Sequence, residues 1–345
     1  MNDVRSTPHR WRSVLTLIVL APLVGEFLLG NTPISDLGAL LLFIPLYGCG
    51  ALLVREAARH TGRGWPTMLL LGAAYGLFEE GPVDQMLWNP HYGGVPFGLV
   101  YAGTHVPLLG TSVALLQDVV SMHMIWSICV PIALVEAFGR EPQRPWLGRI
   151  GLGVTGLVFA AGSLGLAALQ YAYNDAFMAS AGQWTVGAVL IVGLVAAAFL
   201  VGRSPGPRSL AAAPAPWRAG CAAFALTSAY WAGQELLRDH VPDWALALGW
   251  LLLAAAALVL GLRWSRGCDW GAEHRVAVAV GALLTYVWAG FPQAADSDAP
   301  FAVAVTGNAV FGAGALVLAW AAVRSVRRHR ADERAGGQCR ADGRA

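Results

Sequence analysis

Apolar residues along this chain come in long runs, broken by short polar stretches. A helix needs about 20 consecutive apolar residues to cross the hydrocarbon core of a bilayer. Runs of that order lie near 13–30, 36–56, 66–87, 110–138, 147–170, 184–202, 218–236, 243–263, 274–292 and 301–323. The pattern predicts an all-α fold: a polytopic transmembrane helix bundle of about ten spans. A helix satisfies its own backbone groups in lipid, so no sheet is needed. Connectors and short tails make up the rest, which leaves no room for a separate soluble domain.

The arginines test this map independently. The chain has no lysine, so all 23 basic residues are Arg. Twenty-two of the 23 fall before span 1, after every even-numbered span through span 8, or in the tail from Arg324 to Arg344; Arg238 is the exception. Positive charge marks the cytoplasmic side. Both termini are therefore expected in the cytoplasm, with the protein in a bacterial-type inner (plasma) membrane. Span 1 has Arg10 and Arg12 before its apolar stretch but no small-x-small cleavage site before Asn31. It reads as a retained anchor.

Composition agrees. Of 345 residues, 56% are hydrophobic and 13% charged, and the mean hydropathy is +0.54. Soluble domains carry about 25% charged residues, so an ordinary soluble enzyme and a disordered protein are excluded. A net charge of +2 is too small for nucleic-acid binding. The expected partners are the lipid bilayer and a membrane peptide or small-molecule substrate. Cys49, Cys129, Cys221, Cys268 and Cys339 show no metal spacing and read as buried thiols, not disulfides.

Residues 203–217 form a Pro/Ala-rich linker. It divides a six-span part, 1–202, from a four-span part, 218–323. An Arg-rich tail, 324–345, reads as disordered. The first part carries nearly all the ionisable groups at membrane depth. The second is dominated by runs such as LLLAAAALVLGL at 251–262, which suit lipid-facing or packing helices. No internal repeat of the kind many transporters show is visible. The connector 88–109 has no Asp, Glu, Lys or Arg and reads as an interfacial loop or a re-entrant cap.

Ionisable residues inside spans default to a functional hypothesis. Glu79 and Glu80 lie about 15 residues into span 3, roughly 22 Å along it. Gly72, Gly76, Glu80 and Asp84 follow i, i+4 spacing and share one face, where small residues let helices approach. Span 4 runs back with Asp118, His123 and, four residues on, Ser127, with Trp126 alongside. Consecutive antiparallel spans are neighbours. Glu79 and Glu80 could then approach Asp118 and His123, as a carboxylate–imidazole site that activates water or as a polar pair that only joins helices. His91 and His105 could join Glu80 and Asp84 around a metal, but no HExxH-like spacing is present, and neither metal nor cofactor is expected. Glu26 could join the same cluster. Glu56 is expected to pair with Arg59 or His60, and Glu136 with Arg140. Arg55 reaching Glu136 across helices is the alternative.

Within residues 50–139, GALLVREAARHTGRGWP, AAYGLFEEG and HMIWSICVPIALVEAFG resemble an uncharacterised family of bacterial polytopic membrane proteins. More distantly, a Glu-Glu pair on one span with His on a later one resembles the CAAX-processing and bacteriocin-processing intramembrane glutamic proteases. Glu79 and Glu80 match their Glu-Glu-x-x-x-Arg motif, with Asp84 at the Arg position. Tyr101 to His105 stands for Phe-x-x-x-His, and His123 to Ser127 for His-x-x-x-Asn. The resemblance implies an intramembrane hydrolase with Glu80 as general base, Glu79 as its partner, and His123 orienting water. Asp84, Asp118, His105, Ser127 and Trp126 would line the substrate. The alternatives are a secondary transporter or proton-coupled carrier using Glu79, Glu80, Asp84 and Asp118, and a non-catalytic protein with a structural polar cluster.

The arginine pattern makes a direct prediction. Green fluorescent protein fused at the C-terminus should fluoresce, and alkaline phosphatase fused there should be inactive. The same reporters inserted after Asp239 should give the opposite result; matching results at both sites would overturn the map.

Overall fold

The computed structural model describes residues 8–94, 102–139, 141–201, 210–295 and 297–342. Among them the chain forms ten helical rods. Rod α1 is Pro8–Pro22, continued by a π-helical turn at Leu23–Phe27. Rod α2 is Ile34–His60, with a π turn at Ile44–Gly48. Rod α3 is Trp65–Phe78, continued by a π turn at Glu79–Val83. Rod α4 is Val113–Glu136, with a π segment at His123–Cys129. The others are α5 Arg149–Tyr173, α6 Ala181–Val201, α7 Pro216–Leu237, α8 Asp243–Trp264, α9 Ala272–Gln293 and α10 Phe301–Asp342. Seven of these, all but α1, α3 and α7, are long and apolar enough to cross a membrane. A two-residue antiparallel pair, β1 His105–Val106 and β2 Thr111–Ser112, lies just before α4. The readings of 88–109 as a re-entrant cap, of Tyr101 as a motif residue and of Arg140 as an ion-pair partner rest on positions outside the described residues.

Local sequence explains the helix starts. The Ser112 hydroxyl accepts from the Leu115 amide at 3.2 Å and caps α4. Pro66 and Pro216 sit in the first turns of α3 and α7, where the missing amide hydrogen costs nothing.

Rod α4 is the axis of the bundle. Some 72% of its apolar stretch is buried, against 11% for α5 and 6% each for α6 and α8. One apolar cluster packs α4 against α1, α7, α9 and α10. A second packs it against α1, α2 and α3. Trp126 belongs to the first: its indole donates to the Ala282 carbonyl at 2.8 Å, and its ring stacks on Tyr286 at 4.2 Å. The four-span part thus shares a core with the six-span part. The run at 251–262 forms most of α8 and shows its side chains to the outside, as its composition suggested.

The small-residue face of α3 meets α4. A Cβ at Gly76 would stand 3.0 Å from the His123 Cβ and 3.2 Å from the Val119 carbonyl oxygen. Backbone there touches backbone, so Glu80, one turn on, is held over His123.

Gly76→Val should therefore push α3 off α4. Overpacking of this kind costs about 1–3 kcal/mol. A thermal melt of the detergent-solubilised variant should fall by several degrees; an unchanged melt would refute the close contact.

Candidate functional site

Four rods bring a buried polar cluster together near the end of the bundle that is poor in arginine. Each rod contributes from a π turn. Glu26 lies in that of α1, Tyr47 in that of α2, Glu79 and Glu80 in that of α3, and His123 and Ser127 in that of α4. A proline stands in or beside each: Pro22, Pro45, Pro82 and Pro131. Proline lacks the amide hydrogen and clashes with the carbonyl one turn back. The helix yields by taking an extra residue into the turn, a feature that recurs at functional sites.

His123 is clasped on both sides. Its Nδ1 lies 3.0 Å from Glu79 Oε2, and its Nε2 lies 2.7 Å from Glu80 Oε1. The three residues are each 5% exposed or less. A proton on Nε2 therefore has a carboxylate acceptor in Glu80, while Glu79 Oε2 lies beside Nδ1 without a well-directed hydrogen bond. Ser127 Oγ stands 3.2 Å from Nδ1. The rings of Tyr47 and Tyr75 flank the imidazole, with centroids at 5.8 and 5.9 Å. The Tyr47 hydroxyl donates to Glu26 at 2.5 Å, and Thr32 reaches the other oxygen of that carboxylate at 3.5 Å. Tyr75 faces Glu79, although its buried hydroxyl makes no well-directed hydrogen bond. Asp84 approaches Glu80 and accepts from the Tyr92 hydroxyl at 3.3 Å, which in turn accepts from Gln170 at 2.7 Å. The groups form a chain from Thr32 to Gln170. Glu79 and Glu80 contact the imidazole directly, and Glu26 and Asp84 stand further out, on the hydroxyls of Tyr47 and Tyr92.

The structure gathers Glu79, Glu80, His123, Ser127, Asp84 and Glu26. It does not gather the others. Asp118 is turned toward α7, where the Tyr230 hydroxyl donates to it. Trp126 points to α9. His105 and His91 are exposed on the connector. Among the described residues no group of three or more His, Cys, Asp or Glu side chains is arranged to hold a metal. The geometry gives the reason: the two glutamates occupy opposite edges of one ring and do not converge on a point. Tyr47 and Tyr75 were not singled out as site residues in the sequence. The available signal was a tyrosine two residues after a mid-span proline.

A family model matches residues 15–328, nearly the whole chain. The chain belongs to an uncharacterized membrane protein family. The match carries no activity, and no curated protein and no solved structure matches the chain. The likeness to the glutamic proteases thus stays a reading of residues 79–127.

This family member has a second buried polar layer at the arginine-rich end. Along α4, Glu136 lies 13 residues from His123, roughly 20 Å at the helical rise. Glu136 accepts from Arg55 Nε at 3.0 Å and from Arg59 Nη2 at 2.7 Å. Arg55 also binds Glu56 and the carbonyls of Pro142 and Arg144, and stacks on Trp146 at 3.4 Å. Glu56 accepts from the Trp146 and Leu147 amides at 3.0 and 2.9 Å and lies 3.5 Å from His60. The cross-helix pairing of Arg55 with Glu136 therefore forms alongside the expected contact of Glu56 with His60. The network straps segment 142–147 under α2 and α4. Ile128, Ile132, Leu52 and Met68, all buried, separate the two layers.

Removing one member of a buried ion pair strands its partner and costs about 3–5 kcal/mol. Glu136→Ala should cost that much, read as lost folded yield in size-exclusion chromatography. Arg144→Ala, whose side chain is exposed, should not change the yield.

Proposed function

We propose that this membrane protein is an intramembrane hydrolase acting on a substrate embedded in the bilayer. The observation that carries the reading is the clasp of His123 between Glu79 and Glu80, shut away from the surface at membrane depth. Direct contact between carboxylate and imidazole is what proton transfer in catalysis needs. Glu80 Oε2 is buried without a hydrogen-bond partner, a free acceptor for water. In the proposed step, water attacks an acyl carbon and gives its proton to Glu80. The bond to the leaving group breaks, and that group takes a proton from His123, which Glu79 keeps oriented. Ser127 and the two tyrosines would hold the developing oxyanion or the ring. The arginine pattern supports a plasma-membrane protein of bacterial type, with about ten spans, both termini cytoplasmic, and this site toward the outer face.

A proton-coupled carrier is the second reading, favoured by the chain of exchangeable groups from Glu26 to Tyr92. The apolar layer of Leu52, Met68, Ile128 and Ile132 between the two polar layers weighs against it.

One experiment separates these readings. Purified protein in nanodiscs is incubated with a membrane extract in water labelled with oxygen-18. The wild type should place the label in a released carboxyl product. Glu80→Gln, expressed equally well, should lose this at least about 100-fold, the usual worth of a general base. No labelled product, together with solute-driven proton flux in vesicles that Glu80→Gln abolishes, would establish the carrier. Loss of thermal stability in Glu80→Gln with neither activity in the wild type would leave a structural cluster.

A further inference from the structure

An apolar groove of about 290 Å³ opens on the flank of the bundle. Rods α2 and α3 form its floor, with Phe159 of α5 on one side and Ile191, Val195 and Phe199 of α6 on the other. Along α6 the lining runs for eight residues, roughly 12 Å at the helical rise. The groove lies between the rods whose surfaces are among the least covered by protein, so its mouth faces the hydrocarbon of the bilayer. Its far end, at the arginine-rich side, is closed. Arg63 donates there to the Phe199 carbonyl at 2.7 Å, and Thr67 to that of Ala198 at 3.0 Å.

The other end is different. Tyr75 forms part of the floor with its ring, and its hydroxyl, buried and lacking a directed partner, lies on the Glu79 side. Gly50 makes room for that ring: a Cβ there would collide with Tyr75 and stand 3.3 Å from Phe159. One aromatic ring therefore divides an apolar slot from the carboxylate–imidazole cluster. Water has no polar partner in such a slot, and a hydrocarbon chain fits it. A ligand matching both sides of Tyr75 is a chain with a polar end.

We propose that the groove binds the hydrocarbon chain of a lipid-like amphiphile and sets its polar end at Tyr75, next to Glu79 and His123. The substrate class is then an amphiphile with a hydrocarbon chain that enters sideways from the bilayer. This rests on the hydrolytic reading for its chemistry, though the binding itself does not.

The test uses phosphatidylcholine vesicles in which one palmitoyl chain carries a diazirine, with the full-length protein reconstituted and irradiated. Crosslinks should concentrate on the α3 and α6 peptides that line the groove. Ala57→Trp and Val195→Trp, which fill it from the floor and from the α6 wall at half-exposed positions, should reduce them roughly tenfold, as expected for losing about two buried methylenes. Glu80→Gln should label like the wild type. Equal label density on α8 and the groove, unchanged by either tryptophan variant that melts normally, would overturn the proposal. Groove labelling without oxygen-18 product would keep the binding site and reject the hydrolase. Oxygen-18 product without groove labelling would do the reverse.

Discussion

A buried imidazole held by two carboxylates is the constraint around which this bundle is arranged. Charged and polar groups at membrane depth are expensive unless they meet partners. His123 finds them on both of its edges, and all of them come from rods other than its own except Ser127. The contact therefore fixes where α3 stands against α4, and α2 and α1 join it through the Tyr47 ring and its bond to Glu26. Gly76 permits the approach, and the prolines open the turns that aim the side chains inward.

The second polar layer solves the same problem differently. At the arginine-rich end the charges are balanced in pairs: Arg55 and Arg59 against Glu56 and Glu136. Every strong donor of Arg55 goes to a carboxylate or a backbone carbonyl. Such a network contributes to geometry more than to stability, since burying the charges costs about as much as pairing them returns. Its visible effect is to pin the segment before α5 beneath the bundle. The first layer has no such balance. Four carboxyls, two of them buried and in contact with the imidazole, stand with one histidine there. That asymmetry is why the cluster at the arginine-poor end, and not the one at the arginine-rich end, is proposed as the site of the chemistry.

The helices that surround these layers differ in kind. Rods α5, α6 and α8 expose most of their length, and α4 almost none. A groove between the exposed rods ends at the ring of Tyr75, which borders the cluster. The membrane, the slot and the proton-exchanging groups thus lie in one sequence, with Tyr75 between the last two.

Hydropathy determined the helical rods, most of their approximate bounds and the exposed, apolar character of α8; the helix expected to end at 323 runs on to Asp342, through the stretch read as a disordered tail. These are one-dimensional properties: the bilayer thickness sets a length, and a charge is costly wherever it enters. The i, i+4 glycines also showed which face of α3 would meet α4, because helical periodicity is local. Tertiary structure alone decided which polar residues meet. Asp118 and His123 lie five residues apart on one rod, yet Asp118 turns to Tyr230 and His123 to the glutamates. Tyr47 and Glu26 join the cluster through π turns that shift the facing of the side chains, a shift no regular period predicts. Arg55 reaches Glu136, 81 residues away, because α2 and α4 cross there. Such pairings depend on how rods pack against one another, and packing is a property of the whole bundle.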